Sequence, residues 1–388
     1  MASSRGCANG ERGNELPITA DEDGCAAVSG WPRPDDPSGE ISLVLDQRST
    51  LDPKADLRDG LSAVARQGSH LWVANDETTS LERLTLEAGD QARTHRSFDL
   101  THLLELPGDR GEMDIEGLDV EDDTLWLLGS HSSARKQVKN NATPAEARDS
   151  LATVEVSQRR RVLARLSTKD LLDPGGGRTG QQQRPTVLGL GRGTDLVDLL
   201  ADDLHLGSFI QSSTTGRPIP GKDNGIDCEG LAVAGDRVFI GLRGPVLRGW
   251  AMIIELQVGG GPGLEPQAIG PGNRRYRKHF LRLHGLGVRD LCRHGQDLLV
   301  LAGPTMELDG RAAVFRWRGA LTSQAEAVLT KDDLHCEFDA PFGEDEDHAE
   351  GITVLDDDRS ALVLYGTPSG KRKTGRHAIK ADIFRLSA

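Results

Sequence analysis

The sequence predicts an all-β protein folded as a single β-propeller, and three observations support this prediction. The first is a hairpin pattern that occurs five times: a short apolar strand, a tight polar turn and a second apolar strand. The copies are LSAVARQGSHLWVANDE from Leu61, DIEGLDVEDDTLWLLGSHS from Asp114, DCEGLAVAGDRVFIGLRGP from Asp227, VRDLCRHGQDLLVLAGP from Val288 and AEGITVLDDDRSALVLYGTP from Ala349. Hairpin repeats of roughly 40 to 60 residues are typical of propeller blades, not of helical solenoids.

The second observation is a third apolar strand after each hairpin. These strands are LERLTL from Leu81, LARLST from Leu163, IIELQV from Ile253, VFRWRG from Val314 and IFRLSA from Ile383. A blade also has an outer fourth strand, and the first two copies are followed by candidates in RSFDLTHLLEL from Arg96 and PTVLGLGRGTDLVDLL from Pro185. Each copy therefore resembles one four-stranded blade.

The third observation concerns the fifth copy, which stops after its third strand. The segment ISLVLDQ from Ile41 resembles the fourth-strand regions, and we expect it to complete the last blade, so that no sheet edge is left open. This count predicts five blades. Six blades are the alternative, because the interval from Leu118 to Leu231 is nearly double the others.

The domain organisation follows from the same pattern. Residues 1–40 are polar and lack both the basic start and the apolar stretch of a secretory signal, so we expect a disordered tail. Residues 41–388 are predicted to form the propeller, with an insertion at 137–226 within the second blade. An insertion is favoured over a sixth blade, because this segment contains one third strand, one fourth strand and no further hairpin. Within it, Asp195 to Leu200 shows a short helical pattern.

Composition disfavours several classes of partner. A net charge of −14 leaves no general positive surface for nucleic acid or for an anionic membrane. No apolar run approaches the roughly 20 residues that cross a bilayer. Five scattered cysteines argue against a disulfide framework and against a zinc site. We expect a cytoplasmic monomer that binds neither nucleic acid nor membrane.

Three glutamates recur at the starts of the predicted innermost strands. Glu116, Glu229 and Glu350 each precede a glycine, and three carboxylates near one channel axis cannot all stay ionised without a cation or a basic partner. We predict that they bind a metal, for which calcium fits better than zinc. The alternative is structural: the glutamates accept backbone N–H groups, or Arg289 neutralises them.

A second set of residues lies at the ends of the second strands, which reach the same rim of a propeller. His131, Arg135 and Arg243 are candidates to hold an anionic group, and Asp76 or Glu77 is a candidate metal ligand or general base. A histidine in a loop is more often a structural hydrogen-bonding residue, which is the alternative here. The sequence contains no nucleophile elbow and no phosphate-binding glycine loop of the Walker type.

These motifs resemble those of the uncharacterised bacterial domain-of-unknown-function family 3616. The resemblance depends on DIEGLDV with GSHSSAR, on DCEGLAVAGDRVFIGLRGPVLRG, on GVRDL with LAGP and on the terminal EGI, and it spans roughly residues 60 to 386. The GLRGPVLRG block from Gly241 is the most specific part. More distantly, the Glu-Gly-Leu strand starts and ANDET from Ala74 resemble the esterase-like phytase propellers. That second resemblance implies a calcium-dependent phosphoesterase.

Two functions remain open from the sequence. The first is a calcium-dependent hydrolase of phosphate or carboxylate esters, in which Glu116, Glu229 and Glu350 hold the metal and Arg135 and Arg243 orient a small anionic substrate. The second is a propeller that binds a small ligand or a protein without catalysis. Neither requires an organic cofactor.

Overall fold

The computed structural model describes residues 32–46, 56–88, 90–106, 112–172, 186–188, 195–214, 218–259 and 264–387. Pro34–Ala388 makes up one compact unit. Residues 1–31 of the predicted disordered tail lie outside the described residues. The last two residues of that tail, 39 and 40, belong to a strand that begins at Gly39.

Strands dominate the described part of the chain. They are Gly39–Val44 (β1), Leu61–Gln67 (β2), His70–Asn75 (β3), Ser80–Glu87 (β4), Gln91–Asp99 (β5), Ile115–Glu121 (β6), Thr124–Gly129 (β7), Ser133–Arg135 (β8), Val154–Val156 (β9), Leu163–Ser167 (β10), Thr186–Val187 (β11), Asp227–Ala234 (β12), Arg237–Leu247 (β13), Trp250–Gln257 (β14), Arg277–Leu281 (β15), Gly287–His294 (β16), Asp297–Gly303 (β17), Ala312–Trp317 (β18), Val328–Leu329 (β19), Leu334–Ala340 (β20), Ala349–Val354 (β21), Ser360–Tyr365 (β22), Lys373–Thr374 (β23) and Ala378–Arg385 (β24). The α-helices are Pro144–Ala152 (α1), Thr168–Leu172 (α2), Leu196–Leu200 (α3) and Gly207–Thr214 (α4). None of these helices is long and apolar enough to cross a membrane.

The strands pair into five antiparallel groups, each starting with one copy of the hairpin. In order of pairing they are β2-β3-β4-β5, β6-β7-β10-β11, β12-β13-β14-β15, β16-β17-β18-β20 and β21-β22-β24-β1, which we call groups one to five. The hairpins and third strands predicted from the sequence are all present as strands. The all-β prediction is therefore confirmed.

The outer strand of group five comes from the other end of the chain. β1 runs antiparallel to β24 with Leu43 opposite Ile379 and Ile41 opposite Ala381. On its other side, β1 makes a short parallel pairing with β5, in which Leu43 lies opposite Ala92. The segment from Ile41 thus pairs with the last copy of the repeat, the partner that the sequence suggested for it.

The first strands of the five groups contact one another in sequence. β2 packs against β6, β6 against β12, β12 against β16, β16 against β21, and β21 against β2. Glycines permit this close approach: a Cβ at Gly230 would lie 2.8 Å from Leu291 Cγ, and a Cβ at Gly117 would lie 2.7 Å from Leu231 Cβ. Both distances are too short for a side chain.

Two aspartates connect neighbouring first strands through backbone hydrogen bonds. Asp290 of group four accepts the N–H of Ile352 in group five at 2.8 Å. Asp119 of group two accepts the N–H of Val233 in group three at 2.7 Å. The structural alternative assigned such backbone bonds to glutamates, but in these two places aspartates make them.

The apolar core consists of five clusters of buried side chains, and each lies between two successive groups. Leu128 and Ile240 belong to the cluster between groups two and three, for example. Leu71 and Leu364 belong to the cluster between groups one and five. Alternate side chains along each strand point to opposite faces, so both faces of each sheet contribute to an apolar interface. Burial of one leucine stabilises the fold by about 1.5–3 kcal/mol.

The segment 137–226, which the sequence predicts to be an insertion, contains two strands of group two together with other structure. β10 and β11 provide the third and fourth strands of group two. β8 and β9 form a separate two-stranded sheet, with α1 between them. The predicted helical pattern is confirmed as α3, whose N-cap Asp195 accepts the N–H of Asp198. Residues 173–185, 189–194 and 215–217 of the insertion lie outside the described residues.

A buried ion pair attaches the second half of the insertion to group three. Lys278 Nζ lies 2.9 and 2.6 Å from the two carboxylate oxygens of Asp203, and the hydroxyl of Tyr276 donates to the same carboxylate at 2.7 Å. Burial alone would raise the pKa of Asp203, but these hydrogen bonds outweigh it and lower the pKa to about 2. The ionised form is therefore strongly favoured in the folded protein.

We expect Asp203→Asn to destabilise the protein by about 2 kcal/mol at pH 7, because each unit of pKa shift corresponds to about 1.4 kcal/mol. A lowered carboxyl pKa contributes stability that is fully present above the unfolded value, near pH 4, and is lost as pH falls through the folded value, near pH 2. Urea unfolding at several pH values measures this, with the exposed Asp202→Asn as control. If the stability of Asp203→Asn fell between pH 4 and pH 2 as steeply as that of the wild type, the lowered pKa would not belong to Asp203.

Candidate functional site

Each hairpin contains a β-bulge at one equivalent position of its first strand. The register skips one residue there, and the skipped residues are Ser62, Glu116, Glu229, Arg289 and Glu350. A bulge removes a residue from the regular alternation of the strand and redirects its side chain. The three predicted metal-ligating glutamates and Arg289 thus occupy the same structural position in four repeats.

The three glutamates lie close together. One carboxylate oxygen each from Glu116, Glu229 and Glu350 fall within 4.8 Å of one another. Glu116 belongs to a second acidic set as well, because its oxygen is also within 4.8 Å of oxygens of Asp76 and Asp114. We call these five residues the acidic cluster. The structure therefore brings together side chains from the ends of β3, β6, β12 and β21.

Two buried arginines contact one side of this cluster. Arg289 Nε lies 3.1 Å from Glu229 Oε2, and its Nη2 contacts Glu350 Oε1. Arg243 Nη1 lies 3.0 Å from Glu229 Oε1, and its Nη2 contacts Asp227. Arg243 is itself skipped in the register of β13, between Leu242 and Gly244. Glu229 and Glu350 thus have cationic partners.

The other side of the cluster is not neutralised in this way. Among the described residues, Glu116 makes neither a hydrogen bond nor an ion pair, and Asp76 Oδ1 is buried without a hydrogen-bond partner. Asp114 pairs with Arg160 at 3.0 Å and accepts a hydrogen bond from Ser130. The two unpartnered carboxyl groups lie next to each other.

The charges of this region do not balance. Six carboxyl groups, those of the acidic cluster and Asp227, are accompanied by the three guanidinium groups of Arg160, Arg243 and Arg289. The pKa of Asp76 is raised to about 7, mainly by burial and then by the negative charges of Asp114 and Glu350. Burial and the neighbouring carboxylates also raise the pKa of Glu116 well above its ordinary value. A buried excess of carboxyl groups must bind protons or a cation.

The protonation of Glu229 depends on these neighbours. Burial raises its pKa to about 8, although Arg243 and Arg289 lower it, and a value of 8 implies a largely protonated carboxyl at pH 7. The two guanidinium contacts argue instead for the ionised form. We favour the ionised form, because Glu116 makes no direct guanidinium contact among the described residues and can carry the shared proton at smaller cost.

Three other predicted site residues make no hydrogen bond or ion pair with the acidic cluster in the described part of the chain, although the charge of Glu77 adds to the raised pKa of its neighbour Asp76. His131 is buried, and its Nδ1 lies 2.8 Å from the carbonyl oxygen of Gly129; burial lowers its pKa to about 4, so the imidazole is neutral at pH 7. Arg135 pairs with Asp223 and donates to the carbonyl of Leu151 within the insertion. Glu77 is exposed at the surface.

Sequence reasoning missed Asp114, Asp227 and Arg160. A signal for the two aspartates was present, because both precede a cluster glutamate by two residues, in DIEGL and in DCEGL. Residues two apart on a regular strand share a face, although the bulge modifies this. No comparable signal exists for Arg160, whose position depends on the fold of the insertion.

The fold and the site define a class of protein. It is an all-β protein of repeated hairpins, in which acidic and basic side chains meet at bulges in the first strands. Within this class, the chain belongs to the family described as protein of unknown function DUF3616, whose family model matches residues 60–382. The family resemblance noted from the motifs is therefore confirmed. No curated protein matches the chain.

Several solved structures are similar to the chain over most of its length. Glutaminyl cyclase from Myxococcus xanthus is 9% identical with a TM-score of 0.38, covering 91% of this chain and 97% of that chain. Streptogramin B lyase is 9% identical with a TM-score of 0.34, covering 89% and 97%. The PQQ-bound aldose sugar dehydrogenase from Streptomyces coelicolor is 11% identical with a TM-score of 0.32, covering 90% and 100%. Similarities of this degree carry no inference about activity.

Proposed function

We propose that the chain is a five-bladed propeller, closed by β1, that binds calcium at the acidic cluster and hydrolyses a small phosphate or carboxylate ester there. Five four-stranded groups and the successive contacts of their first strands support the blade count. The observation that carries the functional proposal is the carboxyl group of Glu116, which has an oxygen within 4.8 Å of oxygens of two acidic pairs and makes no direct ion pair among the described residues.

The side chains present fit a hard cation. Calcium takes oxygen ligands, mostly carboxylates, carbonyls and waters, at flexible coordination numbers. Glu116, Asp76 and Asp114 offer carboxylate oxygens within reach of one another, and Asp76 Oδ1 is buried without a hydrogen bond. These three residues would hold the ion. Asp114, whose Oδ2 contacts Arg160 and Ser130, would contribute through Oδ1. Glu229 and Glu350, which contact the two buried arginines, would border the ion.

Charge at the site suits an anionic ester. A bound divalent cation would supply Lewis acidity toward an ester oxygen and toward water. Arg243 and Arg289 add fixed positive charge next to the same carboxylates, and the Nε of Arg243 is buried without a hydrogen-bond partner. Preorganised cationic groups stabilise the negative charge that develops during acyl or phosphoryl transfer. Asp76 has the free carboxylate oxygen that a ligand or a general base needs.

The second candidate function is a non-catalytic propeller that binds a small ligand or a protein on the same rim. It is favoured by the ion pairs that Arg289 makes with Glu229 and Glu350, because a cluster neutralised from within has a structural role. Under this hypothesis, Glu116 and Asp76 remain protonated and no metal is required.

Calcium titration by calorimetry, followed by hydrolysis assays, tests the proposal. We expect calcium to bind EDTA-treated protein and Glu116→Gln to abolish binding, because the amide removes one charged ligand. Turnover of p-nitrophenyl phosphate or p-nitrophenyl acetate should require calcium and disappear in the same variant. Glu116 is preferable to Glu229 for this test, because Glu229→Ala leaves two buried guanidinium groups without their shared partner.

The exposed Glu344→Gln is the matched control and should retain both binding and turnover. Calcium binding without hydrolysis of either ester would support the non-catalytic propeller. A protein that binds no calcium, magnesium or manganese would exclude the metal site itself.

A further inference from the structure

A second candidate ligand site lies away from the acidic cluster, beside the tip of the β13–β14 hairpin. It is a groove with a volume of about 640 Å³, and the aromatic rings of Trp250 and Phe280 line it together with Arg248, Arg282 and His205. Small-molecule sites typically have volumes of about 300–1,000 Å³ and combine apolar walls with a few polar groups. The groove uses none of the residues assigned to the calcium site.

The two arginines of the groove have no acidic partner. Arg282 Nη1 donates to the backbone carbonyl of Arg248 at 2.6 Å, and its guanidinium lies 5.5 Å from the centroid of the Trp250 ring. Among the described residues, neither arginine contacts a carboxylate, although the chain carries a net charge of −14. The Arg282 guanidinium, held beside an aromatic wall, and the neighbouring exposed Arg248 favour the binding of an anion.

His205 adds a third hydrogen-bond donor to the groove. The ammonium group of Lys278 lies 2.7 Å from His205 Nδ1, and because an ammonium group has no lone pair, Nδ1 must accept. A neutral imidazole with an accepting Nδ1 carries its proton on Nε2. Asp203 holds Lys278 in place through two short contacts. The tautomer of His205 is thus fixed by the buried ion pair beneath the groove.

We propose that this groove binds a small ligand with a planar ring and an anionic group, either a carboxylate or a phosphate. The ring would pack against Trp250 and Phe280, and the anion would accept hydrogen bonds from Arg248, Arg282 and His205. The lining side chains offer donors and aromatic surface but no carboxylate. The guanidinium groups repel a cationic ligand of the same shape, and an uncharged one lacks the negative charge that strengthens these hydrogen bonds.

Calorimetric titration with phenylacetate and phenyl phosphate tests the inference. At least one of the two should bind, and the tighter one identifies the anionic group. Benzylamine and benzyl alcohol, which share the ring but not the charge, should bind at least about tenfold more weakly, as should acetate and inorganic phosphate, which lack the ring. Arg282→Gln should weaken binding of the aromatic anion about tenfold.

The exposed Arg359→Gln, which lies outside the groove, is the matched control and should bind like the wild type. The calcium titration should be unchanged in Arg282→Gln, so failure of this inference and failure of the proposed function are distinguishable. Three results would overturn the inference: no binding of either aromatic anion at millimolar concentration, equal binding of benzylamine, or wild-type affinity in an Arg248→Gln and Arg282→Gln double variant.

Discussion

Replacing Arg289 by leucine should destabilise the folded protein by about 3–5 kcal/mol at neutral pH, the range measured when one partner of a buried ion pair is removed. Arg289 is nearly fully buried, at 7% exposure, and it contacts Glu229 and Glu350 from neighbouring first strands. Leucine fills part of the space but leaves Glu350 without a cation. Acidification should restore part of the loss, because protonated carboxyl groups carry no charge.

Urea unfolding followed by circular dichroism measures this effect, with the exposed Arg318→Leu as control. A double-mutant cycle with Glu350→Gln separates the ion pair from general packing. If charge is the cause, Glu350→Gln should cost much less in the Arg289→Leu background than in the wild type. Additive losses would show that Arg289 acts through packing alone.

Glu116→Gln should stabilise the metal-free protein, whereas Arg289→Leu destabilises the fold. Its carboxyl makes no direct ion pair among the described residues, and desolvation followed by the neighbouring negative charges raises its pKa. A carboxyl with a raised pKa takes up a proton on folding, so stability falls as pH rises above its unfolded value. We expect the amide to stabilise EDTA-treated protein at pH 8, and this gain should shrink as the pH is lowered to 5.

Calcium should reverse the order of stability of the wild type and Glu116→Gln. A ligand that binds only the folded state stabilises it by about 2.7 kcal/mol at a concentration of 100 Kd, and the wild type should show this gain while Glu116→Gln should not. The gain should increase with pH, because calcium competes with protons for the carboxyl groups. Thermal unfolding with EDTA and with calcium measures both effects. Equal calcium responses in the two proteins would remove Glu116 from the metal site.

Much of the fold was predictable because its signals are local. Alternating apolar residues, tight Gly-Asp turns and the likeness among copies define strands without knowledge of distant contacts. The recurrence of Glu-Gly before an apolar strand also identified Glu116, Glu229 and Glu350 as neighbours.

The arrangement of side chains within the site was less predictable from the sequence. Bulges at Glu116, Glu229 and Glu350 remove these residues from the regular alternation of side chains along their strands. A Glu-Gly pair in the sequence is equally compatible with a regular strand. Arg135 was expected near the glutamates, but it pairs with Asp223 of the insertion. The directions of such side chains at strand ends depend on contacts between segments far apart in sequence, which periodicity does not report.

The pairing of β1 with β24 has a consequence for how the protein is made. Ser38 donates to the carbonyl of Ile383, and these residues are 345 positions apart in the chain. The four strands of group five cannot assemble until the ribosome has released both partners, at synthesis rates of about 5–20 residues per second. Groups two to four each take their strands from one stretch of the chain, within 115–187, 227–281 and 287–340, and can fold during synthesis, whereas β1 must wait with an unpaired edge for its partner strand. Closing so long a loop is entropically costly and slow. Late addition of the last strand therefore sets the period during which the nascent chain most needs protection from aggregation.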